Sequence, residues 1–428
     1  MEARASRPSS PWAFVPLLYF LQGIPYWLVQ AASTTFFAAA RVPVETIGHA
    51  ASLLTLPWTL KPLWSPLVDL IGSKRRWILA AQACLVAGIG ALALAVTSSE
   101  LVSWTVIACA WIAIASATAD VAMDGFYLLA LDRRDQAAFV GVRSAAYRLA
   151  RVLVTGGVVY LAGRLEAAAG GLAPAWMLAL GAACAIYALG TAACLLALPR
   201  PERDAPARRE GGAPVLTMLG SYFRQPRIAA VLLFILFYRF GESVLTPMGS
   251  PFLLATRANG GLGFAVSDVG LLLGTAGVVA LLAGGILGGV LIARCGLRRC
   301  LWPMVLAMNV PNVLYVWAAS VQPGQGVMAA VIGVEQFGYG FGFTAYLVFL
   351  MRVSQRAGFE TTHYAISTGL MGLSAMAAGF VSGHVVSWLG WRDFFVAVCL
   401  FSLPGMAVIP FVPLGEEPDQ ETGPKATG

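Results

Sequence analysis

Apolar runs long enough to cross a lipid bilayer recur twelve times along these 428 residues, and that repetition excludes a water-soluble core. A spanning helix needs about 20 mostly apolar residues. Such runs fall near 12–38, 47–68, 77–97, 103–131, 141–164 and 174–198, and again near 227–254, 267–293, 299–319, 325–351, 363–387 and 392–412. Only 11% of the residues are charged, against roughly 25% in a soluble domain, so most of the surface must face something other than water. Inside lipid each segment must satisfy its own backbone hydrogen bonds, which makes these runs helices. The expected fold is an all-α membrane protein with twelve transmembrane helices in two six-helix halves. The first bundle is expected over 1–198 and a cytoplasmic linker over 199–226. The second bundle and a short cytoplasmic tail follow over 227–428.

The first run mimics a secretory leader, with Arg4 and Arg7 before it and Ala38-Ala39-Ala40 at its end. Its length of about 27 residues exceeds the 7–15 of a leader's apolar region, so it reads as an uncleaved first helix. The seven cysteines show no CxxC spacing and read as small buried thiols. His49, His363 and His384 lie far apart, so neither a metal site nor a cofactor is expected.

The net charge is +7, yet the basic residues sit in short loops between apolar runs, which points to membrane topology and not to nucleic acid. With the N-terminus in the cytoplasm, nineteen of the 28 Lys and Arg fall on the cytoplasmic side and four outside. An even number of helices then places both termini inside.

Nine ionisable residues remain at membrane depth: Lys61, Asp120, Asp124, Arg143, Arg148, Arg151, Arg239, Glu242 and Glu335. Such groups are costly in lipid and usually face a partner or a cavity. Asp120 and Asp124 share a helix face, as do Arg148 and Arg151. Arg239 and Glu242, three apart, can pair with each other. Glu335, Tyr339, Gly342 and Tyr346 line up along one helix. Two uses are open to these charges. They can form static ion pairs that fix helix packing. Alternatively, the basic groups attract an anionic solute while a desolvated carboxylate loads and releases a proton. Asp124, Glu242 and Glu335 are the candidates for that second task. In the first helix Gly23 and Pro25 can break the backbone to line a cavity. GGILGG at 284–289 and GFVSG at 379–383 read as helix contacts.

The loop PLVDLIGSKRR after the second helix resembles the gating motif of the major facilitator superfamily, carried here by Asp69, Gly72, Lys74 and Arg75. Its counterpart GVLIARCGLRR has Arg294 where an acid is expected. LPWTLKPLWSPLVD at 56–69, ATADVAMDGFY at 117–127, YRLARVLVTGG at 147–157, YRFGESVLTPMGSPFLL at 238–254 and VEQFGYGFGFTAYLVFLM at 334–351 resemble the AmpG-type muropeptide permeases. The related acetyl-coenzyme A transporters share a variant of the first string. Nearly the whole chain takes part. The resemblance implies import driven by protons, not an enzyme. Its cargo would be a medium-sized anionic solute such as an anhydromuropeptide, with a siderophore, an acyl-coenzyme A or another metabolite as the alternative. The residues expected to bind substrate are Lys61, Tyr147, Arg148, Arg151, Arg239 and Tyr339. Those expected to couple protons are Asp120, Asp124, Glu242 and Glu335, four acids that fall at matched positions of the family strings. Arg151 departs from the family pattern, and so does the absence of the extra C-terminal helix pair that some members carry. The expected partners are a small-molecule substrate, protons and the lipid bilayer, with the chain acting as a monomer in a cell inner membrane.

Overall fold

The computed structural model describes residues 10–131, 133–200, 220–354 and 360–413. The sequence runs 1–9, 201–219 and 414–428, including most of the charge-rich connection and the whole tail, lie outside the described residues. Among the described residues every regular element is helical.

The passes are α1 (Pro11–Ala39), α2 (44–70), α3 (Lys74–Ala95), α4 (Leu101–Ala130), α5 (133–165) and α6 (Leu172–Ala197). They are followed by α7 (Ile228–Leu254), α8 (Val266–Cys295), α9 (Leu297–Val321), α10 (Gln325–Ser354), α11 (360–389) and α12 (391–408). Nine helical stretches are long and apolar enough to cross a membrane by composition alone. The count falls below twelve for physical reasons. α2 is split into short pieces where Pro57, Pro62 and Pro66 remove donors. α10 carries Glu335, Gln336 and a run of glycines that dilute its hydropathy. α11 and α12 run together, separated only by Gly390 at φ 74°, a conformation that glycine adopts without a Cβ penalty.

The expected break at Gly23 and Pro25 lies elsewhere. Helical backbone runs through both residues to Trp27, and the irregular turn is the π-helical Leu28–Ala32 that follows. Pro25 lacks an N–H, and the disturbed hydrogen-bond register is absorbed one turn later. Gly23 instead lets α1 approach α5 closely: a Cβ there would lie 2.6 Å from the Ala150 Cβ. Two more π-helical turns occur, Val152–Val158 in α5 and Leu272–Ala276 in α8, and they pack against each other.

Small residues set the closest packing, as expected where lipid gives no hydrophobic drive between helices. Gly284 and Gly288 of α8 lie against the α10 backbone at Phe337 and Phe341. The two helix sets close on each other at the end of the bundle that carries the 40–43 turn. There Gly48 of α2 meets Gly379 and Gly383 of α11, and Gly163, Gly156 and Tyr160 of α5 meet Ser267, Gly274 and Gly270 of α8. A Cβ on Gly274 would come within 2.1 Å of the Gly156 nitrogen, so any larger side chain would force that seal apart. Thr35 of α1 donates to the Ser250 hydroxyl of α7 at 3.0 Å in the same layer.

Candidate substrate chamber

Below that seal lies a cavity of about 240 Å³, lined from both helix sets. α1 contributes Tyr26, Trp27 and Gln30 beside the π turn, and α5 contributes Arg151 and Thr155. Arg239, Glu242 and Thr246 come from α7, Tyr315 from α9, and Glu335, Gln336 and Tyr339 from α10.

Glu242 and Glu335 are each only 1% exposed and sit side by side in the cavity wall, one from α7 and one from α10. Tyr315 donates to Glu335 Oε2 at 3.2 Å, and the Gln336 amide donates to both Glu335 oxygens at 3.1 and 3.0 Å. Thr246 reaches Glu242 Oε1 at 3.5 Å, while Glu242 Oε2 has no donor. In so dry a site two bare negative charges side by side would repel strongly, which favours a proton on one of them.

Two guanidinium groups face the same space. Arg239 does not close onto Glu242; its Nη2 donates to the Tyr339 hydroxyl at 2.5 Å, and the guanidinium lies 4.4 Å from the Phe343 ring centroid. Arg151 lies 4.7 Å from the Trp27 ring centroid and touches Gln336 Oε1 at 3.4 Å. The Nε of both arginines is buried without an acceptor, and neither belongs to an ion pair among the described residues. An arginine keeps its charge at any physiological pH, so these two donor forks leave room for an external anion.

The other charges expected at the site are placed elsewhere. Lys61 pairs with Asp120 at 3.7 Å, and Asp120 also accepts from the Gln22 amide at 3.0 Å. Arg143 pairs with Asp124 at 2.6 Å over the Tyr19 ring, with side chains 35% and 41% exposed. Neither pair lines the chamber. Tyr147 packs tilted against the lining residues Tyr26 and Trp27, with 6.3 Å between centroids in each case, and Arg148 lies toward Gly285 of α8. The structure therefore gathers Arg151, Arg239, Tyr339, Glu242 and Glu335. It leaves Lys61, Asp120, Asp124 and Arg148 outside the lining. Tyr26, Trp27, Tyr315 and Gln336 were missing from the sequence reading. Gln336 adjoins a buried acid, and Tyr26–Trp27 follow a proline in an apolar run, which are the signals that would have found them.

In the loop after α2, Gly72 adopts φ 72°, and the Ser73 hydroxyl caps α3 by accepting from the Arg76 backbone N–H. Lys74 is buried and donates to the Val68 carbonyl at 3.0 Å. Arg75 donates to the Leu195 and Leu198 carbonyls at 2.9 and 3.2 Å, tying down the C-terminal end of α6. The side chain of Asp69 is outside the described ones.

A family model described as Major Facilitator Superfamily matches residues 15–362. The chain belongs to that superfamily. Anhydromuropeptide permease of Escherichia coli (strain K12) is 27% identical over 404 residues, covering 93% of this chain and 78% of that protein. A putative transporter, AmpG 4, of Rickettsia felis is 22% identical over 418 residues, covering 93% of each. A bacterial homolog of the human lysosomal transporter Spinster, solved inward-facing and unoccupied, aligns with a TM-score of 0.72 at 15% identity, over 95% of this chain and 97% of that one. As a member of the superfamily, the protein is a multi-pass membrane transporter of small molecules and not an enzyme.

Proposed function

We propose that this transporter imports a medium-sized anionic solute together with protons across the inner membrane, and that the solute is an anhydromuropeptide. The carboxyl pair of Glu242 and Glu335, set beside two arginines that lack carboxylate partners, carries this reading. The pair holds the coupling proton. When the acidic end of the cargo docks on Arg151 and Arg239, it brings negative charge toward the pair and favours retention of that proton. Once the chamber reaches the other face, the cargo leaves, and the arginines turn their field on the carboxyls and favour proton release. Each proton moved inward across 100 mV contributes about 2.3 kcal/mol, which offsets the equal cost of bringing in one negative charge of the cargo, and a further proton would support a roughly fiftyfold solute gradient.

The name of the Escherichia coli relative supports a cell-wall sugar-peptide as cargo. The chamber's 240 Å³ lies below the roughly 300–1,000 Å³ of ordinary ligand pockets, so it encloses one charged end of such a solute. Trp27 and Tyr26 offer apolar faces of the kind that stack on sugar rings. Loop charges support cytoplasmic termini, with the 40–43 turn outside. In that orientation the glycine seal closes the outer face, and the chamber belongs to an inward-facing state of a monomer with pseudo-equivalent halves at 1–198 and 227–428. Asp120 and Asp124, already matched by Lys61 and Arg143, then serve the packing of the first half.

Uptake of labelled anhydromuropeptide into cells lacking their own permease, with and without an uncoupler, tests the reading. Loss of accumulation on adding the uncoupler is expected; undiminished accumulation would exclude symport, and absence of any uptake would exclude this cargo.

A further inference from the structure

Outside the chamber lining, helix α9 carries two asparagines in an otherwise apolar stretch, Asn309 and Asn312. Asn312 is fully buried, and neither its amide nitrogen nor its oxygen has a hydrogen-bond partner. Asn309 is 4% exposed; its nitrogen donates to the Val305 carbonyl at 2.9 Å, and its oxygen is unpartnered. Between them Val310–Asn312 form a 3₁₀ turn around Pro311. Pro311 has no N–H, so the carbonyl four residues earlier, that of Ala307, loses its helical donor. That carbonyl points at Gly338 of α10, where a Cβ would clash with it. Gly342 packs against Met304 and Met308 in the same way, so the antiparallel register sets Glu335 level with Pro311 and Asn312. One turn further along α9, Tyr315 donates to Glu335.

A carboxamide orphaned at both ends in a packed interior is costly, and natural structures relieve that cost with ordered water where several polar groups converge. We infer that Asn309, Asn312 and the freed Ala307 carbonyl form a water-binding niche between α9 and α10, and that its water completes the hydrogen-bonding of Glu335 from the side opposite the cargo. The niche gives the shared proton a polar environment that the cargo does not displace. Its ligand is water, and its task is to let the carboxyl pair load and unload a proton while the chamber is occupied. This goes beyond the residues of the chamber and rests on the coupling proposed above.

Asn312→Leu keeps the volume and removes the hydrogen-bonding groups. Asn312→Ser keeps a hydroxyl and leaves room for a second water. In proteoliposomes, Asn312→Leu is expected to lower proton-driven accumulation about tenfold, the effect of one lost hydrogen-bonded link. Cargo counterflow, which needs no net proton movement, should stay within about twofold by the same measure. Asn312→Ser is expected to restore accumulation. Wild-type accumulation by Asn312→Leu, or equal loss of counterflow, overturns the inference. A second readout is independent of coupling. The infrared band of the protonated carboxyl, identified by its loss in Glu335→Gln, should shift in Asn312→Leu and return in Asn312→Ser. An unmoved band overturns the niche even if transport is proton-driven. A moved band in a protein indifferent to the uncoupler upholds the niche and removes the symport reading instead.

Discussion

In the first six helices each membrane-depth carboxylate meets a cation, whereas in the second six the two carboxyls meet each other. Asp120 faces Lys61 and Asp124 faces Arg143, with part of each pair open to solvent. Glu242 and Glu335 are buried to 1% exposure and leave Arg239 to a tyrosine hydroxyl. The contrast separates two uses of charge in lipid. A matched pair offsets its own desolvation and stays put. An acid pressed against another acid, with guanidinium groups nearby but not closed upon it, changes its protonation as surrounding charge moves.

The sharpest break of this contrast is Glu335→Gln. With no proton to carry, accumulation driven by an imposed gradient of two pH units is expected to fall by about a hundredfold, the whole gradient that one proton supports, while counterflow persists. Paired flux measurements in proteoliposomes check this, and Asp124→Asn falling just as far would erase the distinction between the halves. Next come the arginines. Arg151→Gln and Arg239→Gln each remove a charged hydrogen-bond donor, so cargo affinity is expected to drop about tenfold to hundredfold by binding titration.

Lys61→Met sharpens the other side of the comparison. It strands Asp120 in a part-buried site, and a destabilisation of about 1–2 kcal/mol, between surface and buried pairs, should appear in thermal melting. The double change Lys61→Met with Asp120→Leu should recover most of it. If Lys61→Met instead weakens cargo binding at unchanged stability, Lys61 belongs with the chamber. The smallest effect is expected for Asp124→Asn, whose accumulation should stay within about threefold of wild type because its pair is open to water.

The twelve passes were legible because bilayer thickness dictates run length and composition at once. The breaks inside them were less so. Gly23 and Pro25 suggested an opened backbone, yet the helix runs through them and the irregularity falls at Leu28–Ala32, because tertiary packing of Gly23 on Ala150 holds the earlier turn. At the site, spacing along one helix identified which charges are buried but not which neighbour each one faces. Arg239 and Glu242 stand three apart and looked like partners, but the facing helix supplies Tyr339 to one and Glu335 to the other. Tyr315 carries no signal as a site residue, because a tyrosine in an apolar run packs into a core as readily as it lines a cavity.

The account turns on one shared proton in the second half of the molecule. The most direct test measures proton and cargo fluxes together in proteoliposomes under an imposed pH gradient, using the wild-type protein and Glu335→Gln with labelled anhydromuropeptide. The account predicts inward protons accompanying cargo in the wild type, and exchange of cargo without net proton flux in the variant. Wild-type cargo movement with no accompanying protons, or unchanged proton flux in Glu335→Gln, would contradict it.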